Sequence, residues 1–280
     1  MAEALRSPHL DCLTLEQPHA LTATMTDIAP LTRQRLMQVS TATLTTVLFK
    51  HGLRNTFLQG PRPLGAAQRL VGPAYTLRYI PAREDLDSLK VFEDRRHPQR
   101  VAVEECPPGH VLVIDSRGDA QAASAGNLLV TRLMKRGCAG VVTDGGFRDT
   151  PEIAALAMPT FHQRPSAPTN LIRHHAADLQ QPIGCGGVAV YPGDVMVGDG
   201  EGVVCIPRGI ADIVAQEAYD QTLYEDWVAE RIEAGEGLFG LYPATDAAQR
   251  ASFAAWKIAQ AARYPLASDN LRPEALGLRS

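Results

Sequence analysis

Residues 111–149 constrain the fold more than any other stretch of this 280-residue chain. An apolar run ends at Asp115, a glycine-bearing loop opens a helix at Asn127, and a second apolar run precedes Asp144. This order predicts a strand–helix–strand (βαβ) unit within an α/β fold. Polar residues follow the carboxyl end of each strand, which is the rim where open α/β sheets bind small ligands. The stretch therefore predicts both a fold class and the position of a site.

The flanking sequence predicts one main domain with an addition at each end. Residues 1–29 show no clear periodicity and are expected to form an N-terminal arm, followed by a main domain over 30–235. Residues 236–280 are expected to form a C-terminal extension with extra helices. Residues 68–80 predict a strand with a break at Gly72-Pro73, and the glycine-cut runs over 183–206 predict strand–turn–strand structure.

Composition argues against several classes of function. The net charge of −4 favours neither nucleic acid nor an acidic membrane as a partner. The chain has no apolar run of about 18 residues and no signal-peptide pattern, so we expect neither a membrane span nor secretion. Scattered cysteines such as Cys138, Cys185 and Cys205 are expected to be small buried side chains in a reducing, cytoplasmic setting. One short basic cluster is interpreted as a solvated loop: Arg95, Arg96, His97 and Arg100.

A candidate anion site lies at the helix that follows Gly126. Asn127 is a favourable N-cap residue, and Leu129 and Leu133 are one helical turn apart. The first turn of a helix has unpaired backbone N–H groups at the positive end of the helix dipole. The amides of Asn127, Leu128 and Leu129 could therefore hold a carboxylate or a phosphate. The alternative is an ordinary capped helix that faces water.

Arg148 and Asp149 follow the second strand in a short loop, with Thr150 as the expected N-cap of the next helix. Arginine offers a planar fork for a carboxylate or carbonyl oxygen, and aspartate offers a hard oxygen ligand for Mg²⁺ or Mn²⁺. The alternative is a surface turn with a weak ion pair. Beside the helix amides, this pair could stabilise an enolate, the intermediate of retro-aldol cleavage and of 2-oxo acid β-decarboxylation.

With these motifs the chain resembles the RraA-like family over about residues 40–207. The segments that carry the resemblance are 40–44, 72–76, 108–113, 126–129, 144–145 with Arg148-Asp149, 192–194 and 202–204. Each segment alone is common, but their combination is specific. The family includes 4-hydroxy-4-methyl-2-oxoglutarate/4-carboxy-4-hydroxy-2-oxoadipate aldolases and regulators of ribonuclease E.

The resemblance implies a β/β/α swivelling-domain fold, assembled as a homotrimer or homohexamer with sites at subunit boundaries. It implies that the amides of 126–129 bind the carboxylate of a pyruvyl group, that Arg148 contacts the pyruvyl oxygens, and that Asp149 holds Mg²⁺ largely through water. Aldolases of the family usually have an acidic residue at the position of Asn127, and asparagine cannot accept a proton at neutral pH. Segment 82–100 and the residues after about 235 exceed the family core and could reshape the substrate mouth.

Three functions follow from these observations. The first is a Mg²⁺- or Mn²⁺-dependent lyase that releases pyruvate from a small 2-oxo acid or decarboxylates an oxaloacetate-like substrate, with Arg148 and Asp149 as catalytic residues. The second is a non-catalytic regulator that binds a protein partner. The third, suggested by Asn127 and the extra segments, is a lyase or hydratase for a sugar-derived oxo acid.

Overall fold

The computed structural model describes residues 27–267, which form a mixed α/β fold. The α-helices are α1 (Pro30–Leu36), α2 (Thr41–Lys50), α3 (Pro98–Glu105), α4 (Asn127–Lys135), α5 (Thr150–Ala154), α6 (Ala211–Glu233) and α7 (Ala247–Ala259). The strands are β1 (Arg62–Pro63), β2 (Leu70–Pro81), β3 (Val111–Asp115), β4 (Ala123–Ala125), β5 (Gly140–Thr143), β6 (Gly146–Phe147), β7 (Thr160–His162), β8 (Arg164–Pro165), β9 (His174–Leu179), β10 (Ile183–Cys185), β11 (Val188–Val190), β12 (Val195–Gly198) and β13 (Val203–Ile206). Short 3₁₀ helices cover Leu89–Glu93, Asn170–Ile172 and Arg208–Ile210. Most of the predicted N-terminal arm, residues 1–26, and the end of the predicted C-terminal extension, residues 268–280, lie outside the described residues.

An eight-stranded sheet forms the centre of the fold. Its order is β1-β7-β5-β3-β2-β12-β13, and β9 also pairs with β2. The pairings between β2, β3, β5 and β7 are parallel, whereas those of β1, β9, β12 and β13 are antiparallel. Strands β3 and β5 pair with Val111 opposite Gly140, and α4 lies between them in the chain. The predicted α/β class with a central βαβ unit is therefore confirmed.

The predicted break at Gly72-Pro73 is wrong, because β2 is one continuous strand of 12 residues. Pro73 is its last residue paired with β12, and Ala74 is the first paired with β3. A Cβ atom at Gly72 would lie 2.5 Å from the carbonyl oxygen of Gly109. The glycine thus reflects a close approach of two backbone segments, which periodicity alone does not distinguish from a turn.

The core follows the alternation of side chains along the central strands. Leu112 and Ile114 of β3 pack with residues of α3 and α4, whereas Val111 and Val113 pack with the β10–β11 hairpin on the other face. A third apolar cluster joins α1, α2 and α6 to β12 and β13. The βαβ unit is consequently covered on both faces, as expected for parallel strands.

The described part of the predicted C-terminal extension contains one α-helix, α7, which packs against the long α6 of the predicted main domain. Trp227 of α6 is completely buried and packs against Phe253 of α7, with ring centroids 5.4 Å apart. Tyr224 completes this aromatic cluster, and its hydroxyl donates a hydrogen bond to the carbonyl oxygen of Leu241. The helices on either side of residue 235 therefore share one core, and the domain boundary placed there stays a prediction.

The described cysteines are buried and carry free thiols. This confirms the expectation for Cys138, Cys185 and Cys205, while Cys12 lies outside the described residues. None of the helices within 27–267 combines the length and the apolar composition that crossing a bilayer requires. The cytoplasmic location stays a prediction.

Candidate active site

Two short parallel strands bring the predicted site residues together. Strands β4 and β6 are neighbours in a small sheet with β8, and Ala125 lies opposite Phe147. Both strands end there, so Gly126 and Arg148 follow at the same edge. The backbone N–H of Arg148 donates a hydrogen bond to the carbonyl oxygen of Ala125 at 3.2 Å. The rim predicted from the apolar runs therefore exists, although β6 rather than β5 directly precedes Arg148.

The first turn of α4 is capped from outside the helix. Gly126 occupies the N-cap position with an extended backbone, and Asn127 is the first helical residue, so the prediction of Asn127 as N-cap is wrong. The backbone N–H of Asn127 donates to Oδ2 of Asp149 at 3.1 Å, while its side-chain Oδ1 accepts from the Thr131 hydroxyl at 3.0 Å. A carboxylate 22 residues away thus performs the role expected of the local side chain.

Asp149 has a left-handed backbone, with φ 56° and ψ 40°, and occupies the N-cap position of α5. Thr150 is instead the first residue of that helix, which corrects its predicted role as the cap. Aspartate tolerates this conformation better than most residues. Oδ2 of Asp149 lies 3.5 Å from Nε of Arg148, and both side chains are about half exposed. The turn therefore presents a guanidinium and a carboxylate side by side to solvent.

These groups border a pocket of about 100 Å³. Of the predicted site residues, the pocket is lined by Gly126, Leu128, Leu129, Arg148 and Asp149. Asn127 adjoins it through the amide that binds Asp149. The other lining residues are not predicted from the sequence: Phe92, Gln99, Arg100, Ala123, Ala125, Thr169 and Asn170.

Arg95 and Arg96 lie exposed in a turn, as the interpretation of the basic cluster as a solvated loop predicts, but this interpretation is wrong for Arg100. It lies in the first turn of α3, which begins at Pro98, and it borders the pocket with its side chain over the ring of Phe92. In the sequence, Arg100 belongs to the charged segment 82–100. This segment is expected to reshape the substrate mouth, but the sequence does not indicate which of its residues reaches the site. Because α3 begins at Pro98, Gln99 and Arg100 lie in its first turn and line the pocket.

A buried hydrogen-bond network supports the wall formed by α3. Nε2 of Gln99 donates to the Tyr79 hydroxyl and to the carbonyl oxygen of Ser124, both at 2.9 Å. The Tyr79 hydroxyl donates to the same carbonyl at 2.9 Å, and burial raises the pKa of Tyr79 well above its ordinary value. Tyr79 therefore stays a neutral donor, and α3 is fixed to β4 directly beneath the pocket.

The charged side chains that line the pocket are two guanidiniums and one carboxylate, namely Arg100, Arg148 and Asp149. Burial lowers the pKa of Arg100, and the positive charge of Arg148 acts in the same direction. Arginine stays charged in proteins despite such shifts. The lining therefore carries a net positive charge and favours anions.

Asp149 is the acidic residue of this lining that a metal ion could use. Within 27–267, no three histidine, cysteine, aspartate or glutamate side chains gather in a way that could enclose a metal ion. Mg²⁺ commonly keeps several water ligands and binds through one or two carboxylates. A half-exposed carboxylate fits this mode of binding, whereas it does not fit a closed structural site such as that of zinc.

Comparisons with known proteins agree with this architecture. The family description RraA-like (Aldolase/RraA) matches residues 24–205, more than half of the chain. A Halalkalibacterium halodurans protein, provisionally named as a 4-hydroxy-4-methyl-2-oxoglutarate aldolase, is 35% identical over 157 residues, which cover 56% of this chain and 69% of the relative.

Solved structures show the same fold. Streptomyces coelicolor RraAS2, described as an unusual member of the RNase ES inhibitor RraA protein family, has a TM-score of 0.65 at 30% identity, covering 72% of this chain and 97% of that one. An uncharacterized Pseudomonas syringae pv. tomato protein has a TM-score of 0.66 at 25% identity, covering 77% and 98%. This chain therefore belongs to the RraA-like family.

Proposed function

We propose that the protein is a lyase for small 2-oxo acids, which releases pyruvate by retro-aldol cleavage, decarboxylates an oxaloacetate-like substrate, or does both. The observation that carries the proposal is the convergence of Arg148, Asp149 and the start of α4 at one edge of the β4–β6 pair. The provisional aldolase name of the Halalkalibacterium halodurans relative supports the same reaction class.

In this proposal each group acts on a different part of the substrate. The start of α4 binds the carboxylate next to the keto group, because it is the positive end of the helix dipole. In the structure the Asn127 N–H donates to Asp149 and the Leu129 N–H donates to the carbonyl oxygen of Gly126, so these two amides exchange those acceptors for the substrate carboxylate. Arg148 donates hydrogen bonds to the keto oxygen and stabilises the negative charge that develops there as the carbon–carbon bond breaks. In retro-aldol cleavage the 4-hydroxyl loses its proton to water as its oxygen becomes the carbonyl oxygen of the released fragment, whereas decarboxylation releases CO₂. In both reactions the enolate carbon takes a proton from water to give pyruvate.

Asp149 is the proposed ligand of Mg²⁺ or Mn²⁺, as the resemblance implies. Its Oδ2 already accepts a hydrogen bond from Asn127, so its other oxygen is the better placed to meet a hydrated ion. A bound divalent ion would supply further positive charge beside the keto oxygen. Cytoplasmic location and assembly as a homotrimer or homohexamer accompany the proposal as predictions from the sequence.

The proposal is tested by pyruvate formation from oxaloacetate and from 4-hydroxy-4-methyl-2-oxoglutarate, with Mg²⁺ or with EDTA. Enzyme-free reactions with the same metal correct for spontaneous decarboxylation. We expect EDTA to abolish the enzymatic part, and Asp149→Ala to lower it by about 100-fold or more. Asp85→Ala is a matched control, since Asp85 is an exposed partner of Arg83 and does not line the pocket.

The outcome that refutes the lyase proposal is metal-dependent pyruvate release by Asp149→Ala at the wild-type rate. Absence of pyruvate from both substrates with every metal would favour the second candidate, a regulator that binds a protein partner. That candidate is supported by the likeness to RraAS2, whose description places it among RNase ES inhibitor proteins. Inhibition of ribonuclease E by the purified protein tests it directly.

A further inference from the structure

The pocket has a second polar wall that the proposed chemistry does not use. Arg100 of α3 and Asn170 of the 3₁₀ helix Asn170–Ile172 both line it, together with Arg148 and Asp149. The two residues come from segments 70 positions apart. The wall is therefore a product of the tertiary structure and not of one local motif.

Asn170 is buried, with 6% of its surface exposed, and it has an unused donor. Its Oδ1 accepts a hydrogen bond from the Thr169 hydroxyl at 3.3 Å, whereas its Nδ2 has no hydrogen-bond partner within the described part of the chain. A buried amide donor without a partner is costly. Its position in the pocket lining indicates that a ligand supplies the missing acceptor.

Arg100 also lacks a counter-charge in the described structure. Between residues 27 and 267, its guanidinium forms no ion pair, although Arg132, Arg148 and Arg173 each have an acidic partner within 4 Å. The ring of Phe92 lies 4.3 Å from its guanidinium carbon and covers one face. The planar edge with its N–H donors is the part left for hydrogen bonding, and it matches a carboxylate.

We infer that Arg100 and Asn170 are the residues that bind the second carboxylate of the substrate, the group that oxaloacetate and 4-hydroxy-4-methyl-2-oxoglutarate both have at the end far from the keto group. This inference rests on the proposed function, which places the first carboxylate at α4. Arg100 and Asn170 then determine specificity and take no part in bond breaking.

The test compares two ligands of equal chain length, 2-oxoglutarate and 2-oxopentanoate, by calorimetric titration with Mg²⁺ present. They differ in a carboxylate against a methyl group at carbon 5. We expect the wild type to bind 2-oxoglutarate more tightly. Arg100→Gln should weaken that affinity by about 10- to 100-fold, while leaving the affinity for 2-oxopentanoate nearly unchanged. Asn170→Ala should have a smaller effect in the same direction, and Arg100→Lys should retain part of the preference.

Arg96→Gln provides the matched control, because Arg96 lies in the same charged segment with a side chain that is 91% exposed. This variant should bind both acids as the wild type does, whereas Arg148→Gln should weaken the binding of both acids. Thermal unfolding checks that each variant is folded. The subsite is refuted if the wild type binds both acids but Arg100→Gln and Asn170→Ala affect them equally or not at all. If the wild type binds neither acid but releases pyruvate from oxaloacetate, the subsite is refuted and the proposed function stands. If it binds neither acid and releases no pyruvate, the proposed function itself fails.

Discussion

Gly126 determines how closely the side chains of Arg148 and Asp149 can approach the start of α4. A Cβ atom at this position would lie 2.7 Å from Oδ2 of Asp149 and 2.9 Å from Nε of Arg148. Such distances are shorter than van der Waals contact, so any larger residue must displace these groups. The backbone of Gly126 is extended and has a negative φ, hence the glycine is required for space and not for conformation.

Gly126→Ala is therefore expected to impair catalysis much more than stability. A displacement of Arg148 and Asp149 by about 1 Å should lower kcat/KM for pyruvate release by about 100-fold. Gly209→Ala is the matched control, since a Cβ atom there meets no atom within 4 Å. Steady-state kinetics and thermal unfolding of both variants provide the measurement. A Gly126→Ala variant with wild-type kcat/KM would contradict the prediction.

At this scale the sequence predicts the groups adjacent to the strand ends but not those brought from a distance. Arg148 and Asp149 come a few residues after an apolar run, and helical spacing begins directly after Gly126, so the local sequence indicates all of these groups. Asn127 resembles an N-cap in every local respect, yet the distant Asp149 takes that position's hydrogen bond. Nothing in the local sequence of Asn170 indicates that it borders the same pocket.

Outside the central sheet, some helices and strands can be predicted from their sequence and others cannot. The helical spacing of 209–234 predicts α6 well, because its apolar positions recur at helical intervals. Strands β4 and β6 have only three and two residues, too few for any periodicity. Their pairing nevertheless aligns the site, so the most important contact at this scale was the least predictable.

The contact between α6 and α7 depends on the indole of Trp227, which is fully buried among Tyr224 and Phe253. We expect Trp227→Ala to lower the free energy of unfolding by about 3–5 kcal/mol, through lost burial and a residual cavity. Trp227→Phe should cost less than half as much, because the Trp227 N–H has no hydrogen-bond partner in the described structure. Urea unfolding measures both. Equal stability of Trp227→Ala and wild type would show that this cluster is dispensable.

For the whole molecule, buried histidines predict how stability depends on pH. Burial lowers the pKa of four of them below the ordinary value of 6.5: His97, His110, His162 and His174. Protonation therefore favours the unfolded state. Their contribution to stability is complete above about pH 6.5 and is lost as the pH falls below that value towards the folded-state pKa.

His162→Phe tests this dependence and keeps the stacking on Phe147, whose ring centroid lies 5.3 Å away. Between about pH 7 and pH 5, the loss of unfolding free energy should be shallower than in the wild type, by up to about 1.4 kcal/mol per pH unit for one proton. Burial raises the pKa of Asp115 and Asp144, so protonation of these two carboxyl groups favours the folded state as the pH falls. Both proteins contain these carboxyl groups, so the difference between their slopes reports the imidazole of His162. Identical slopes for both proteins would refute the assignment.

The floor and the far wall of the pocket belong to different parts of the chain, and this separation has an evolutionary consequence. The floor, formed by Ala125, Gly126 and Arg148, is fixed by the paired ends of β4 and β6. The far wall comes largely from the segment that leads into α3, through Phe92 and Arg100. Exchange of this segment would leave the paired strand ends, and with them Arg148 and Asp149, in place. Related chains could thereby acquire new acids as substrates, and transplanting this segment into a shorter homologue should transfer its selectivity.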